Sequence, residues 1–194
     1  EKLDDINFVR EISNRINSNN ISVITTIHSQ TEELHERVNG SKGSFRKTIR
    51  GLVNVNQAGF HTIVKHCVTK ENYTELKEFF QFVDNTFPQS VDMQLCSIDY
   101  CGLEEEIKNN YKLEFPRMRP YLEKMFDKYL EKGEPGRLVY CFNMPLCSAD
   151  PFYWRFFTPK SYGYEGYVSP NRDGKSQRAY NVDSNAVSYT HLRA

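Results

Sequence analysis

The chain has 194 residues, with 25 basic and 25 acidic side chains that give a formal net charge of zero. This length is enough for one domain with a hydrophobic core, and the balanced charge gives no reason to expect a nucleic acid or a membrane as partner. No apolar run reaches the roughly 18 residues that a membrane span requires. The five scattered cysteines lack the spacing of a disulfide scaffold, so we expect a cytoplasmic protein.

The first part of the sequence alternates between helical and extended patterns. Apolar residues recur every three or four positions from Leu3 to Ile16, which predicts an amphipathic helix that ends at the polar run 17–20. Residues 21–27 are β-branched and almost continuously apolar, as expected of a strand that is covered on both faces. Such a strand is typical of a parallel sheet. The polar residues of 35–43 predict a loop.

The same alternation continues to about residue 142. In chain order, the patterns predict a helix capped by Ser44 that ends at Gly59, a strand at 61–68, a helix opened by a capping box at 72–75, a strand at 91–98, a helix that ends at Gly133 and a strand at 137–142. Strands that alternate with helices of this length predict an α/β fold, either a barrel or an open doubly wound sheet. Periodicity does not separate the two.

The character of the sequence changes at Pro145, where aromatic, glycine and proline residues replace the periodic pattern. We therefore expect a barrel-like unit over residues 1–143 and a loop-rich extension over residues 144–187. Residues 188–194 look like translated adapter sequence and are treated as an artefact.

Ligands of α/β folds bind where the carboxyl ends of the strands meet, which directs attention to the polar residues at those ends. For the first strand these are Thr26, His28 and Ser29, and for the second they are Lys65 and Asn72. Lys65 is the most informative, because a charge inside a strand must face a polar cavity or have a partner. A single histidine beside a loop is more often a surface hydrogen-bonding group, so this interpretation is favoured for His28, and on chemistry alone Thr26 is better explained as a β-branched strand residue.

Other candidate motifs are weaker. The loop from Asn39 to Gly43 could bind an anion, but a bare Gly-x-x-Gly spacing is unspecific. The cysteines do not form close CxxC pairs, so buried strand thiols are a better interpretation than a structural zinc site. The sequence contains no GxSxG, HExxH, Walker or GxGxxG motif and identifies no catalytic residue.

The strand end Ile24 to Ser29 is followed by a helix entry, by an Ala-Gly stop and by a strand that closes in Val-Thr-Lys-Glu-Asn; these segments are residues 24–29, 33–40, 43–52, 58–59 and 68–72. Taken together in their order and spacing, they resemble the second half of a radical S-adenosylmethionine (SAM) enzyme. The likeness covers about residues 1–100. It implies the carboxyl-terminal half of a partial (β/α)₆ barrel, in which a 4Fe-4S cluster and SAM generate a radical that abstracts hydrogen from the substrate.

The resemblance also assigns roles to the strand-end residues. Thr26 takes the place of the polar residue that meets the amino-acid group of SAM, with His28 and Ser29 at the same strand end, while Lys65 and Asn72 face the cavity from the next strand. Asn39 departs from the family, because many members carry an arginine there for the SAM carboxylate. SAM is the implied small-molecule cofactor, and a peptide is a candidate substrate in peptide or cofactor maturation.

The cluster motif of the family, CxxxCxxC, is absent from the chain. The resemblance therefore implies an interior fragment that cannot bind the 4Fe-4S cluster by itself and is inactive alone. Cys147 is a weak candidate for an auxiliary cluster ligand. Two alternatives stay open: another α/β-barrel enzyme of the lyase or aldolase type with Lys65 as amine nucleophile, and a non-catalytic binding module whose aromatic segment 152–167 docks a partner.

Overall fold

A computed structural model describes residues 2–16, 21–98, 105, 113–133 and 136–157, together with the backbone of 168–170 and 176–178. Its centre is a four-stranded parallel sheet in which the strands stand in sequence order. The strands are β1 (Ser22–Thr26), β2 (His61–Val68), β3 (Val91–Ser97) and β4 (Val139–Phe142). The predicted α/β class with a parallel sheet is confirmed.

One helix, α1 (Ile6–Arg15), precedes the sheet. The other helices connect successive strands, as parallel pairing requires; they are α2 (Glu32–Asn39), α3 (Ser44–Gln57), α4 (Leu76–Thr86) and α5 (Phe115–Glu131). Short 3₁₀ turns lie at Lys2–Asp4, Tyr73–Glu75, Leu146–Ser148 and Pro151–Phe156, and two short antiparallel strands, β5 (Val168–Pro170) and β6 (Ser176–Arg178), form a separate pair.

The predicted loop at 35–43 is wrong in its first half, because α2 occupies Glu32–Asn39. This helix contributes little apolar periodicity, since it buries only Leu34 and His35. Its boundary signals were nevertheless present: two glutamates in the first turn, which interact favourably with the helix dipole, and Gly40 at the end with a left-handed φ of 67°.

Two predicted helix caps are also wrong. Gly43, with φ of 78°, holds the cap position of α3, so Ser44 is the first helical residue and its side chain caps nothing. The capping box at 72–75 does not form either, because a 3₁₀ turn occupies these residues and α4 begins only at Leu76. The carboxylate of Glu75 instead accepts a hydrogen bond from Gln30 at 2.6 Å.

The two faces of the sheet have different surroundings. One face packs against α4 and α5 and contributes Val64, Val68, Met93, Leu95 and Cys141 to the main core. Because successive strand residues point to opposite faces, the register assigns the alternate residues to what we call the second face. These are Ser22, Ile24, Thr26, His61, Ile63, Lys65, Cys67, Asp92, Gln94, Cys96, Tyr140 and Phe142.

Arg137, predicted as the start of the fourth strand, precedes β4 and is completely buried. Its guanidinium donates hydrogen bonds to the carbonyl oxygens of Val91 and of Phe87, the latter at 3.0 Å. The side chain thereby connects the end of α4, the start of β3 and the entry to β4. The hydroxyl of Tyr129 donates in turn to the carbonyl of Arg137 at 2.9 Å.

Part of the segment after Pro145 packs on the core. The ring of Phe156 stacks on Phe126 of α5 with centroids 4.3 Å apart, and Phe157 forms an isolated parallel bridge with Cys141. The domain boundary near residue 143 and the artefact at 188–194 stay predictions, and residues 158–167 and 179–194 lie outside the described part of the chain. Within the described residues, no helix has the length and apolar character needed to cross a bilayer.

Candidate functional site

A row of polar side chains crosses the second face of the sheet near the carboxyl ends of the strands. Thr26 is the register partner of Lys65, Lys65 of Gln94, and Gln94 of Tyr140. Neighbouring strands lie about 4.8 Å apart, so these four residues form a continuous line across the sheet. We call them the polar row. It joins two of the predicted site residues, Thr26 and Lys65, to two that the sequence did not single out.

Lys65 is the central residue of the polar row. Its side chain is half-buried, and its neighbours Thr26 and Gln94 are half-buried as well. The backbone carbonyl of Lys65 accepts a hydrogen bond from the N–H of Ile27 at 2.9 Å, but no hydrogen bond or ion pair joins the Lys65 side chain to any other described residue. A partly desolvated ammonium group without an acidic partner favours the binding of an anion, because the anion would replace the lost hydration.

Three histidines cluster beside the carboxyl end of β1. The Nδ1 atom of His35 accepts a hydrogen bond from the backbone N–H of His28 at 3.1 Å, and the Nδ1 atom of His66 lies 2.9 Å from the carbonyl oxygen of Ile27. One nitrogen of each ring is buried and has no partner among the described residues: Nδ1 of His28, Nε2 of His35 and Nε2 of His66. The predicted candidate His28 thus belongs to a group of imidazoles rather than standing alone.

Burial keeps these histidines neutral. Desolvation lowers the pKa of His66 to about 4 and that of His28 to about 4, with a smaller contribution to His28 from neighbouring His35. Desolvation also lowers the pKa of His35. At neutral pH the cluster therefore offers uncharged nitrogens.

Ser29 has its hydrogen bonds satisfied within the chain. It is fully buried, and its hydroxyl oxygen accepts a hydrogen bond from the backbone N–H of Thr31 at 3.0 Å. The Oγ atoms of Ser29 and Thr31 lie 3.1 Å apart. These contacts fix the turn that leads from β1 into α2. The structure gives Ser29 this local role, and its contact with a cofactor stays a prediction.

Asn72 uses all of its amide hydrogen-bonding groups to join the ends of β1 and β2. Its Oδ1 accepts from the backbone N–H of Thr69 at 2.7 Å, and its Nδ2 donates to the carbonyl oxygens of His28 and Cys67, both at 2.9 Å. The side chain is 2% exposed. Asn72 therefore shapes the carboxyl edge of the sheet, and direct ligand contact by Asn72 stays a prediction.

We expect Asn72→Ala to lower the free energy of unfolding by about 2–4 kcal/mol, because one buried donor and two buried acceptors lose their partner. Urea denaturation monitored by circular dichroism measures the change. Asn85→Ala is the matched control, since Asn85 is exposed on α4 and its replacement by alanine is expected to change stability by less than about 0.5 kcal/mol. Equal effects of the two substitutions would refute this role for Asn72.

The predicted anion loop borders a cavity of about 230 Å³ that is lined by Asn39, Ser41, Lys42, Ser44 and Lys47, among others. The hydroxyl of Ser44 is buried there without a partner. However, the start of α3 already has an anion close by, because the backbone N–H of Phe45 donates to the Glu36 carboxylate at 3.4 Å. The cavity gives weaker support for a ligand than the polar row does.

A second hydrogen-bonded chain crosses the sheet at its opposite, amino edge. The Oγ of Ser22 lies 2.8 Å from Nδ1 of His61, and Nε2 of the same ring lies 2.8 Å from the Asp92 carboxylate. Asp92 also accepts from the backbone N–H of Leu138 at 2.9 Å. These contacts join the first three strands to the residue that precedes β4. Sequence reasoning missed them, because the paired residues are 31 to 46 positions apart and become neighbours only through strand register.

The described residues do not fit a 4Fe-4S cluster. No group of three or more His, Cys, Asp or Glu side chains that could hold a metal ion occurs among them. Cys141 lies on the core face, Cys147 is exposed after β4, and Cys101 falls outside the described residues. The auxiliary-ligand role of Cys147 stays a prediction. The expected buried strand thiols are confirmed for Cys96 and Cys141.

The fold and the polar row together define an α/β protein with a parallel sheet and a candidate anion site at its carboxyl edge. The chain matches no model of a known protein family. No curated protein is significantly similar to it.

Proposed function

We propose that this chain supplies the SAM-binding strands of a radical SAM enzyme, as one side of a partial (β/α)₆ barrel. The observation that carries the proposal is Lys65 at the centre of the polar row, whose side chain is half-buried and has no partner among the described residues. Four parallel strands in sequence order, linked by helices, are also the arrangement expected along one side of such a barrel. Two of the segments that resemble the family, residues 24–29 and 68–72, lie at the carboxyl ends of β1 and β2.

The polar row suits the amino-acid group of SAM. The ammonium of Lys65 would bind the carboxylate, and the Thr26 hydroxyl and the Gln94 amide on either side would satisfy the remaining polar atoms. In radical SAM enzymes, bound SAM is the source of the radical that abstracts hydrogen from the substrate. The part proposed for this chain is to bind and orient the cofactor. Because the described residues do not fit the cluster, we expect SAM binding without cluster binding.

Equilibrium dialysis of the whole chain against labelled SAM tests the proposal. We expect Lys65→Met to weaken binding by about 10–100-fold, since a charge-assisted hydrogen bond contributes roughly 1.5–3 kcal/mol. Thr26→Val should weaken it less, by about fivefold, because the lost hydrogen bond is neutral on the protein side. Lys77→Met is the matched control, because Lys77 is exposed on α4, and it should leave binding unchanged.

Absence of SAM binding by the folded wild-type chain would overturn the proposal, as would equal binding by the Lys65→Met variant.

The same lysine also favours a second candidate, an enzyme with an amine nucleophile. Such a lysine needs an apolar pocket or a neighbouring cation to deprotonate it, whereas Lys65 lies between Thr26 and Gln94. Borohydride trapping of Lys65 with a carbonyl compound, together with no SAM binding, would select the second candidate.

One observation favours the third alternative, a binding module. In the 3₁₀ turn after β4, Phe152 is 62% exposed and Trp154 is 43% exposed, so two large aromatic side chains are open to solvent. The rest of the predicted docking segment, 158–167, lies outside the described residues. Docking through this segment stays a prediction and needs neither Lys65 nor SAM.

A further inference from the structure

Two cysteine thiols meet on the second face, one layer beyond the polar row toward the carboxyl edge. Cys67 of β2 and Cys96 of β3 are register partners, and their Sγ atoms lie 3.3 Å apart. Neither thiol belongs to a disulfide. Because each cysteine lies inside a regular strand, the ladder of the sheet fixes the two backbones about 4.8 Å apart and holds the thiols as neighbours.

The two thiols differ in exposure and in acidity. Cys67 is half-buried, whereas Cys96 is 4% exposed and its Sγ lies 3.6 Å from the carbonyl oxygen of His66. The hydrogen bond from Cys96 lowers the pKa of Cys67 to about 7, and the charge of Lys65 acts in the same direction. The same hydrogen bond and burial raise the pKa of Cys96 well above its usual value. Near neutral pH, a partly ionised, half-buried thiol therefore lies beside a protonated, buried thiol.

The pair does not suit the common structural metals. Structural zinc sites use four protein ligands, and no third metal-binding side chain joins the two cysteines among the described residues. A disulfide would require the sulfur atoms to approach from 3.3 Å to about 2.05 Å, and it would also require an oxidant. The geometry suits an atom that forms two bonds to sulfur atoms of the protein and keeps its third bond to an organic substituent.

We propose that Cys67 and Cys96 form a two-thiol site that binds a soft, thiophilic centre, of the class of monosubstituted trivalent arsenicals. With phenylarsine oxide as the probe, the two thiols form two arsenic–sulfur bonds. The bond between arsenic and oxygen breaks. The oxygen takes up the two thiol protons and leaves as water. No atom changes its oxidation state, so the reaction needs no further reagent. The inference does not rest on the proposed SAM-binding function.

The test uses the reduced, full chain with one equivalent of phenylarsine oxide and intact-mass spectrometry. We expect one adduct that survives excess 2-mercaptoethanol and is released by 2,3-dimercaptopropanol, because a monothiol cannot compete with two thiols held at high effective concentration. Cys67→Ser and Cys96→Ser should each weaken retention by about 100-fold or more. Cys147→Ser and Cys101→Ser are matched controls. Each removes one cysteine but keeps both Cys67 and Cys96, so each variant should retain the adduct.

Circular dichroism melts show whether each variant is folded, and Cys67→Ser is the decisive variant because its side chain is only half-buried. The proposal is overturned if the wild type forms no monothiol-resistant adduct, or if folded Cys67→Ser retains it. Loss of the adduct in Cys101→Ser would also overturn it, since another pair of thiols would then be responsible. A wild type that takes the adduct but binds no SAM would retain this inference and reject the proposed function.

Discussion

Arg137→Met is expected to lower the free energy of unfolding by about 3–5 kcal/mol, the cost typical of removing one member of a buried ionic network. The guanidinium is completely buried and donates to the carbonyls of Val91, Phe87 and Pro88, so its loss leaves buried acceptors unpaired. Its Nε also lies 4.0 Å from Asp84, which keeps a second partner in Lys132. Urea denaturation at neutral pH measures the loss.

Arg46→Met is the control for this prediction. Arg46 forms an ion pair with Glu32 at 3.1 Å, but its side chain is 76% exposed, so we expect a loss of less than about 1 kcal/mol. Arg137→Lys should cause a loss in the free energy of unfolding between these two values. Lysine keeps the positive charge, but its single ammonium group cannot donate to several carbonyl groups as the planar guanidinium does. If Arg137→Met were as stable as Arg46→Met, the connecting role of Arg137 would be refuted.

Stability is expected to fall on mild acidification because of His66. Burial lowers the pKa of His66 from 6.5 to about 4, so below pH 6.5 the unfolded chain binds a proton that the folded chain takes up only near pH 4. The contribution of neutral His66 is therefore present above pH 6.5 and is lost as the pH falls. We expect a loss of about 2 kcal/mol between pH 7 and pH 5 from this residue alone. His28 and His35, whose pKa values are also lowered, act in the same direction.

Urea unfolding at several pH values between 7 and 5 measures this effect, in a range above the pKa of most carboxylates. His66→Phe removes one titrating group and should reduce the pH dependence, leaving the part that comes from His28 and His35, although it loses the contact with the Ile27 carbonyl and is less stable at pH 7. Phe79→Leu is the control, because Phe79 stacks on His66 with centroids 3.9 Å apart and does not titrate. It should destabilise the protein but keep the wild-type slope. A wild-type slope in His66→Phe would contradict the prediction.

Only some residues of the candidate site could be predicted from residue type and sequence position. Lys65 stood out because a charge inside a strand is costly, and that signal needs no knowledge of the neighbours. Gln94 and Tyr140 could not be found in the same way, because a polar residue at one strand position has meaning only when the register places it beside Lys65. Asn72 was predicted to start a helix, whereas its amide binds the ends of two strands, because those buried backbone groups have no other partner.

The sequence by itself determined the order of most helices and strands and the parallel sheet, because the periods of 3.6 and 2 residues and the continuous β-branched runs are local properties. Only the tertiary structure decided that Cys67 meets Cys96, that His61 joins Ser22 to Asp92 and that Arg137 is buried. These contacts join residues about 30–50 positions apart. They depend on strand register and side-chain packing, and a register shift of one residue would move the cysteines, His61, Ser22 and Asp92 to the other face of the sheet.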